Sequence, residues 1–317
     1  MKSDMKAFQV IQSHQLVMKK NIPIPEIGKN QALVRFKYGV LCGSDYPKYA
    51  DEWLGFSPPL PLGMPLHECV GQITESHIPN LLPKTWVLAM PENDCGLSEY
   101  FLVSYKSVTP LIGWALSDLP YATLGQPAST VLYSLHRLGS VFDQTILIFG
   151  LGGIGFIFCA LLYKMGVKQI IAIEPNEFRR NLVSHLFNVK VFANWSDEFE
   201  NIAEITVDAV GQKNQNEIIS ACILGTRPYG KIVLFGVPTI AEQKLSVFSI
   251  IRKNLTMIGT INPNWITYLP LGYQAVKNEL ELFKPMVTHK LHWSEAPKAF
   301  EIFGQPNEKR LKILLHN

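Results

Sequence analysis

Charged residues are scarce in this sequence, and neither sign dominates. Of its 317 residues, 17% are charged and 47% are hydrophobic, and 29 Lys and Arg against 26 Asp and Glu leave a formal net charge of +3. A chain of this composition folds as a globular protein and is not disordered. No nucleic-acid partner is expected, because such binding needs a concentrated excess of basic side chains.

Cysteine is also sparse. The chain has five cysteines, an odd and widely spread set, which are Cys42, Cys69, Cys95, Cys159 and Cys222. Such a set is typical of reduced thiols and not of a secreted disulfide framework. Residues 1–10 carry three charges and no apolar core, so no signal peptide is indicated and we expect a cytoplasmic protein.

One long run lacks charge. Residues 146–163 contain no charged side chain over 18 positions, which is long enough for a membrane-spanning helix. The glycines near its start argue against that interpretation, because they directly follow a short β-type run, Ile146–Phe149. A strand, a tight turn and a buried helix are therefore predicted, and no membrane association is expected.

The pattern of predicted elements changes along the chain. The first part is β-rich, with alternating apolar residues over 32–38 and short apolar runs at 86–90 and 99–103. After about Gln126, strand-like runs alternate with helical ones such as 176–187 and 214–224, which predicts a doubly wound parallel sheet of six strands. Those six runs are Thr145–Phe149, Gln169–Glu174, Val189–Ala193, Thr206–Val210, Lys231–Phe235 and Leu255–Gly259. Further helices are expected near 269–283 and 295–303.

A glycine motif lies between the first of these runs and the helix after it. Gly150, Gly152 and Gly155 form G-x-G-x-x-G, which lets the backbone turn sharply and approach a pyrophosphate at a helix N-terminus. Glu174 ends the second run, where its carboxylate can accept hydrogen bonds from both hydroxyls of an adenosine ribose. A 2′-phosphate would be repelled there, so NAD is favoured over NADP.

Other interpretations of this motif stay open. Glycines of this spacing can serve helix packing alone, and methyltransferases bind an adenosine ribose in a similar way. Arg179 could reach the ribose or a phosphate, although an arginine in such a helix is often a solvated surface residue.

A second group of polar residues lies in the first part of the chain. Cys42, His67 and Glu68 offer a thiolate, an imidazole and a carboxylate, with Ser44 and Asp45 next to the cysteine. This donor set suits Zn²⁺, and three protein ligands leave a coordination position for water or substrate. By spacing alone, a lone cysteine and a lone histidine are more often core residues than metal ligands.

Together, these motifs resemble those of a known family. Residues 39–45 (GVLCGSD), 67–71 (HECVG) and 150–155 (GLGGIG) resemble the zinc-dependent alcohol and polyol (sorbitol-type) dehydrogenases of the medium-chain dehydrogenase/reductase superfamily. The likeness extends over nearly the whole chain. It implies a GroES-like β-rich catalytic domain in 1–125 and 266–317, and an NAD-binding Rossmann domain in 126–265.

The resemblance also implies roles for individual residues. Cys42 and His67 would bind one catalytic zinc, with Glu68 as the further ligand that sorbitol-type members use. Ser44 would pass the substrate proton, and Asp45 would support the metal shell. The implied cofactor-binding residues are Gly150, Gly152, Gly153, Ile154, Gly155, Glu174, Arg179, Thr130, Phe235, Val237, Thr260 and Asn262.

The sequence departs from the family pattern at three places. Gln126 stands where relatives have a Glu or a Cys near the metal. A neutral amide binds zinc poorly. Gln126 therefore either hydrogen-bonds a zinc-bound water or marks a metal site that is weakened or lost. Pro47 replaces the histidine that completes the proton route in relatives. A proton leaving Ser44 would then pass through ribose, water or Lys48, although Lys48 is expected at the surface. The lobe that would need four cysteines for a structural zinc has one, Cys95, so no structural zinc is expected.

The expected reaction is hydride transfer between NAD and a secondary alcohol, polyol or sugar-like substrate, with zinc in the cleft between the domains as Lewis acid. One alternative is a zinc-free quinone- or enone-type reductase of the same fold, which Gln126 favours. Another is a catalytically inactive NAD-binding protein, which Pro47 permits. A homodimer or homotetramer is expected because the sixth strand of such a sheet can pair across a twofold axis. Trp53, Phe56 and Trp265 are candidate pocket residues, and aromatic core packing is an equally good interpretation of each.

Overall fold

The chain folds into two compact units. The computed structural model describes residues 4–53, 55–211, 215–239, 244–305 and 308–317. The first unit combines Met1–Ser129 with Pro263–Asn317, and the second is Thr130–Asn262.

Strands and helices are numbered in chain order over the described residues. The strands are β1 (Asp4–Gln12), β2 (Gln15–Pro23), β3 (Gln31–Val40), β4 (Glu68–Ser76), β5 (Trp86–Ala89), β6 (Tyr100–Ser104), β7 (Val108–Pro110), β8 (Thr145–Phe149), β9 (Gln169–Ile173), β10 (Val189–Phe192), β11 (Ala203–Asp208), β12 (Thr226–Leu234), β13 (Thr256–Gly259), β14 (Val287–His292) and β15 (Lys312–His316). The helices are α1 (Asp45–Tyr49), α2 (Gly125–Leu138), α3 (Gly153–Lys164), α4 (Glu177–Leu186), α5 (Gln215–Gly225), α6 (Val247–Lys253), α7 (Trp265–Asn278), α8 (Leu280–Phe283) and α9 (Ala296–Gly304).

The first unit is built on a mixed sheet with the order β14-β15-β3-β4-β5-β7, and β6 also pairs with β3. Strands β14 and β15 are parallel, and β15 runs antiparallel to β3. The predicted alternation in β3 is present in part: Ala32, Val34 and Phe36 are fully buried and Arg35 is exposed, but Leu33 is buried as well. The buried side chains pack in a core with Phe8 and Trp293, whose ring centroids are 4.8 Å apart.

The short helix α1 is held in place by aromatic contacts. Five residues are too few for a helix that is stable by itself, so its position depends on packing. The Tyr49 ring lies 4.8 Å from Phe300 of α9, and the Tyr46 ring stacks on Phe303 at 6.0 Å. Helix α9 therefore fixes the segment that follows Cys42.

The second unit contains the predicted doubly wound sheet. Its six strands are ordered β10-β9-β8-β11-β12-β13, and all five neighbouring pairs are parallel. This order confirms the fold class expected from the alternating pattern. All five residues of the central strand β8 are buried, as expected where helices cover both faces of a parallel sheet.

The uncharged run 146–163 forms β8, the glycine turn and most of α3, as predicted. In the part of the chain that the structure describes, no helix combines the length and the apolar character needed to cross a membrane. The single helix expected over 269–283 is instead two helices. Helix α7 begins earlier, at Trp265, where the Asn264 side chain caps it by accepting a hydrogen bond from the backbone N–H of Thr267, and non-helical backbone at Glu279 separates it from α8.

Candidate active site

The metal-binding candidates of the first unit come from two neighbouring segments. Cys42 lies in the turn after β3, and the backbone N–H of Asp45 donates to its carbonyl at the start of α1. His67 and Glu68 lie where β4 begins, and β4 pairs with β3 so that Glu68 is opposite Val40. This strand pairing brings residues about 25 positions apart in sequence to one place.

The structure brings Cys42, His67 and Glu68 together. One potential ligand atom from each side chain can be chosen so that all three lie within 4.8 Å of one another. His67 and Glu68 are buried, and Cys42 is half-buried. These are the three residues that the sequence predicted as zinc ligands.

Asp45 connects two members of this group. Its Oδ2 accepts a hydrogen bond of 2.8 Å from the backbone N–H of Cys42, and its Oδ1 lies 2.9 Å from His67 Nδ1. Because the carboxylate contacts Nδ1, the other ring nitrogen, Nε2, is the one left for a metal. Asp45 itself is fully buried.

The electrostatic potential at His67 is negative. Burial by itself lowers the pKa of His67, but the charges of Asp45 and Cys42 raise it by more, so the pKa lies well above its ordinary value. A potential that stabilises a proton on the imidazole also stabilises a metal cation in the same place.

Ser44 and Gln126 were predicted to lie near this group. Ser44 Oγ donates a hydrogen bond of 3.3 Å to Cys42 Sγ, so the hydroxyl is next to the thiol. Gln126 lies in the first turn of α2 and is buried, and its amide nitrogen is 3.9 Å from Met90 Sδ.

Lys312 is a member of the site that the sequence analysis missed. Its Nζ donates to both oxygens of Glu68, at 2.7 and 2.6 Å, and to the carbonyl of Leu41 at 3.2 Å. Both side chains are buried. Burial lowers the pKa of Lys312, but Glu68 and Cys42 raise it by more, so the lysine stays charged. A lysine directly before the buried apolar run Ile313–Leu315 is the sequence signal that could have indicated a buried partner.

This donor set fits a zinc ion. Zinc bonds of about 2.0 to 2.3 Å place tetrahedral ligand atoms about 3.3 to 3.8 Å apart, so the present spacing requires only a small inward shift of the side chains. Lys312 takes one acceptor position on each oxygen of Glu68, and a second position on each oxygen is left. Glu68 can therefore contact a metal while it keeps its ion pair.

The glycine motif of the second unit has the geometry of a phosphate cradle. Gly150 has a φ of +88°, and a Cβ at Gly155 would lie 1.9 Å from the Gly150 carbonyl oxygen, so neither position accepts a side chain without strain. A Cβ at Gly152 would meet no atom within 4 Å. The open space at Gly152 leaves room for a ligand to come close to the backbone.

Glu174 organises this turn. Its Oε2 accepts a hydrogen bond of 2.7 Å from the backbone N–H of Leu151, and its Oε1 accepts one of 2.9 Å from Asn176. Arg179 Nη1 is 3.7 Å from Oε2, which places this arginine beside the carboxylate predicted to bind ribose. The loop after β8 and the loop after β9 are thus joined by one buried carboxylate.

The remaining predicted cofactor residues lie at several places in the second unit. Gly153 and Ile154 begin helix α3, and Thr130 lies in α2. Phe235 and Val237 follow β12, and Thr260 and Asn262 follow β13, at the carboxyl ends of these strands, where Thr260 and Asn262 are buried and Val237 is exposed.

Asp208 supports this edge of the sheet. Its Oδ1 accepts from the backbone N–H of Val210 at 3.0 Å, and its Oδ2 accepts from Gln215 Nε2 at 2.7 Å. The backbone carbonyl of Asp208 also accepts from the N–H groups of Phe235 and Gly236. These bonds tie together the loops that follow β11 and β12.

The expectation that Lys48 lies at the surface is wrong. The lysine is 7% exposed, and its Nζ is 2.5 Å from Asp94 Oδ2. A basic residue in a short polar segment is usually solvated, but here the loop 91–95 covers it and supplies an opposite charge.

The fold and the two groups of residues define a class of protein, the oxidoreductases with a dinucleotide-binding sheet and a metal-binding β domain. Comparison with known proteins supports this class. Residues 153–278 match the family described as zinc-binding dehydrogenase. An L-threonine 3-dehydrogenase of Symbiobacterium thermophilum is 22% identical and covers 99% of both chains, and human sorbitol dehydrogenase is 24% identical over 93% of this chain and 91% of its own.

Solved structures show the same fold over the whole chain. The L-idonate 5-dehydrogenase of Escherichia coli superimposes with a TM-score of 0.85 at 15% identity, covering 100% of this chain and 99% of its own. A zinc-binding dehydrogenase of Sinorhizobium meliloti, solved with NADP, has a TM-score of 0.83 at 19% identity and covers 100% of both chains. An alcohol dehydrogenase of Escherichia coli, solved with NADH, has a TM-score of 0.84 at 18% identity and also covers 100% of both.

These matches confirm the resemblance found in the motifs. The chain is similar to zinc-binding dehydrogenases, over residues 153–278 by the family match and over nearly its whole length by its relatives.

Removing Lys312 would leave the Glu68 carboxylate buried without its counter-charge. We expect Lys312→Met to lower the free energy of unfolding by about 3 to 5 kcal/mol. The control is Lys298→Met, whose lysine is 61% exposed and 3.6 Å from Glu295, and which should change stability by less than about 0.5 kcal/mol. Urea unfolding of both variants measures the difference, and equal effects would contradict the buried ion pair.

Two glycines of the cradle should respond differently to alanine. Gly155→Ala should lower the free energy of unfolding by about 1 to 3 kcal/mol or more, because its Cβ collides with the Gly150 carbonyl. Gly152→Ala should keep its stability within about 0.5 kcal/mol and bind NAD roughly tenfold more weakly or worse, since its methyl group occupies ligand space. Thermal melts and calorimetric titration with NAD separate the two effects. Unchanged NAD affinity in Gly152→Ala would show that the ligand does not approach this residue.

Proposed function

We propose that the protein is a zinc-dependent dehydrogenase that transfers hydride between a secondary alcohol, polyol or sugar-like substrate and NAD. The observation that carries this proposal is the convergence of Cys42, His67 and Glu68 within 4.8 Å. Thiolate, imidazole and carboxylate together form a zinc site that keeps a position open for substrate.

Cys42, His67 and Glu68 would hold one zinc per chain. Bound zinc supplies Lewis acidity, which lowers the pKa of a substrate hydroxyl or polarises a carbonyl. Asp45 keeps the His67 ring in the orientation that presents Nε2, and Lys312 limits the negative charge that Glu68 adds. The family resemblance places Gln126 near this site. We assign it the role of a polar neighbour of the metal and not that of a ligand.

Ser44 is the residue we assign to proton transfer. Its hydroxyl contacts Cys42 Sγ, so it lies beside a ligand atom and can accept a proton from a substrate held there. Pro47 offers no side-chain group to continue the route. The proton would therefore leave by water or by a cofactor hydroxyl.

NAD is the cofactor we assign to the second unit. Both oxygens of Glu174 already accept one backbone hydrogen bond, and each retains an acceptor position for a ribose hydroxyl. A 2′-phosphate would meet the buried negative charge of this carboxylate. Arg179, beside Glu174, would contact the adenosine ribose, and Thr130, Phe235, Val237, Thr260 and Asn262 would surround the nicotinamide.

The names of the relatives indicate the substrate class. The related proteins named above act on threonine, sorbitol and idonate by name, each of which carries a secondary hydroxyl. We therefore propose a secondary alcohol or polyol, or the corresponding ketone, as the substrate.

We also propose a homodimer formed through the edge strand β13, which could build further into a tetramer. Apolar side chains close to this strand in sequence are well exposed, with Phe248 at 75%, Ile251 at 68% and Ile261 at 75%. Pairing of two β13 strands would cover such residues and satisfy the open sheet edge. A cytoplasmic location is proposed because all five cysteines are free thiols.

Metal content and activity should both depend on Cys42. We expect about one zinc per chain in the purified protein, and Cys42→Ser should lose most of it because a serine hydroxyl is a poor zinc ligand. The kcat/KM for a polyol with NAD should fall at least 100-fold, roughly the upper effect of losing an outer-shell partner. Elemental analysis and an NAD-linked polyol assay measure both.

Cys95→Ser is the control, because this thiol is outside the ligand group and its pKa is raised to about 11 by burial and then by Asp94. Its zinc content and activity should equal those of the unmodified chain. A metal-free protein that reduces enones or quinones would replace the proposal with the zinc-free reductase, and NAD binding without any turnover would replace it with the inactive binding protein.

Cofactor choice should depend on the charge of Glu174. We expect Glu174→Gln to raise the ratio of kcat/KM for NADP to that for NAD by about tenfold or more, because it removes the repulsion of a 2′-phosphate. The matched control is Glu177→Gln, since Glu177 is exposed in the first turn of α4 and should not change the ratio. A wild-type preference for NADP would contradict this assignment.

A further inference from the structure

A buried ion pair lies beside the metal-binding group and is not explained by metal binding. Lys48 is 7% exposed, and its Nζ is 2.5 Å from Asp94 Oδ2, while the Asp94 side chain is 31% exposed. Of the three N–H donors of Lys48, one is used by Asp94 in the described part of the chain. The pair thus combines a buried cation with a carboxylate that solvent or a ligand can reach.

Two aromatic rings surround the ammonium group. Lys48 Nζ is 5.6 Å from the centre of the Trp53 ring and 5.5 Å from that of Phe56. Both aromatic residues line an open depression of about 460 Å³, and the Phe56 side chain is 38% exposed. An exposed aromatic surface next to a donor and an acceptor is a surface that can bind a partly apolar, partly polar molecule.

The pair is attached to the same two segments that carry the metal ligands. Lys48 lies in α1, four residues after Ser44, which is the N-cap of this helix, so the two residues are about one helical turn apart. Asp94 lies alongside the segment before His67, because its carbonyl accepts a hydrogen bond of 2.8 Å from the N–H of Leu66.

The electrostatics of Asp94 agree with this placement. Burial raises the pKa of Asp94, but the charges of His67 and Lys48 lower it by more, so the carboxyl group is ionised and within electrostatic range of His67. The backbone is also unusual, since Asn93 and Asp94 both have positive φ, 54° and 57°. Two consecutive left-handed residues other than glycine are uncommon and tend to occur at functional sites.

We propose that Lys48 and Asp94, with the Trp53 and Phe56 rings, form a subsite that binds the hydroxyl groups of an uncharged polyol beyond its reacting carbon. This inference rests on the proposed function, because it supplies the part of the substrate that the zinc does not touch. Lys48 donates to one hydroxyl, Asp94 accepts from its neighbour, and the C–H faces of the chain pack on the rings.

The paired charges select a neutral ligand. A lysine alone would favour a phosphate or carboxylate, but Asp94 offsets its charge and repels an anion. A vicinal diol offers a donor and an acceptor side by side, which matches the pair. The subsite therefore favours a polyol over a phosphorylated polyol, and over a simple secondary alcohol that has no second hydroxyl.

The test compares D-sorbitol with 2-butanol as substrates, with NAD, in the zinc-loaded protein. In Lys48→Met and in Asp94→Asn, the ratio of kcat/KM for sorbitol to that for 2-butanol should fall by about 10- to 100-fold, mainly through the KM for sorbitol. Asparagine tolerates a left-handed backbone, so Asp94→Asn tests the pair with little change to the loop. Thermal melts of both variants verify that they fold.

Lys284→Met is the matched control. Lys284 also contacts two carboxylates, of Glu281 and Asp118, and lies 5.9 Å from the Tyr121 ring, but it is not attached to the metal-binding segments. The substrate ratio should be unchanged in this variant. An unchanged ratio in Lys48→Met and Asp94→Asn would overturn the proposal, whether both substrates lose activity equally or neither does.

A binding measurement separates this proposal from the proposed function. Saturation-transfer NMR should detect D-sorbitol on the wild-type protein and a loss of that signal in Lys48→Met. If the wild type oxidises neither alcohol, the proposed function fails, and the subsite stands if the Lys48-dependent sorbitol signal is present. Absence of that signal in the wild type, or stronger Lys48-dependent binding of sorbitol 6-phosphate than of sorbitol, would overturn the subsite.

Discussion

The contact between Asp45 and His67 is the interaction on which the candidate metal site depends. A single buried carboxylate receives the backbone N–H of Cys42 on one oxygen and approaches the imidazole on the other. Cys42 and His67 come from different segments, which are also held together by the pairing of β3 and β4 and by Lys312, which joins Leu41 to Glu68. Asp45, at the start of α1, therefore contacts both donor residues with one side chain and helps to orient them.

The surrounding charges follow from this arrangement. Cys42, Asp45 and Glu68 place up to three negative charges in a buried region, and Lys312 supplies one positive charge to the same region. Burial of such an excess is costly unless a cation compensates it. The residues proposed to hold a metal, together with Asp45, would thus also make its binding favourable.

Much of the fold could be predicted because the signals are local. The six strands of the second unit are each a short apolar run, and the bounds of four of them agree with the prediction to within one residue at each end. The glycine motif was identifiable since its chemistry is contained in six consecutive residues. Glu174 could be placed because a parallel strand must end at the same edge of the sheet as its neighbour.

The parts that could not be predicted depend on contacts between distant residues. Lys312 pairs with Glu68 across 244 positions, and Asp94 pairs with Lys48 across 46, and neither separation leaves a pattern in one sequence. Lys48 was misplaced for the same reason, since its burial depends on the loop at 91–95 and not on its own helix. The break of the helix near Glu279 was also missed, because the apolar pattern continues through it.

The position of β15 within the first unit has a consequence for how the protein is made. This strand inserts between β14 and β3 and carries Lys312 to Glu68, so the sheet stays incomplete until residues 312–316 have left the ribosome. During that time Glu68 lacks Lys312, and residues 38–40 of β3 lack the strand that pairs with them. The second unit is continuous in sequence and is synthesised before β15, so it can reach its own fold before the sheet of the first unit is complete.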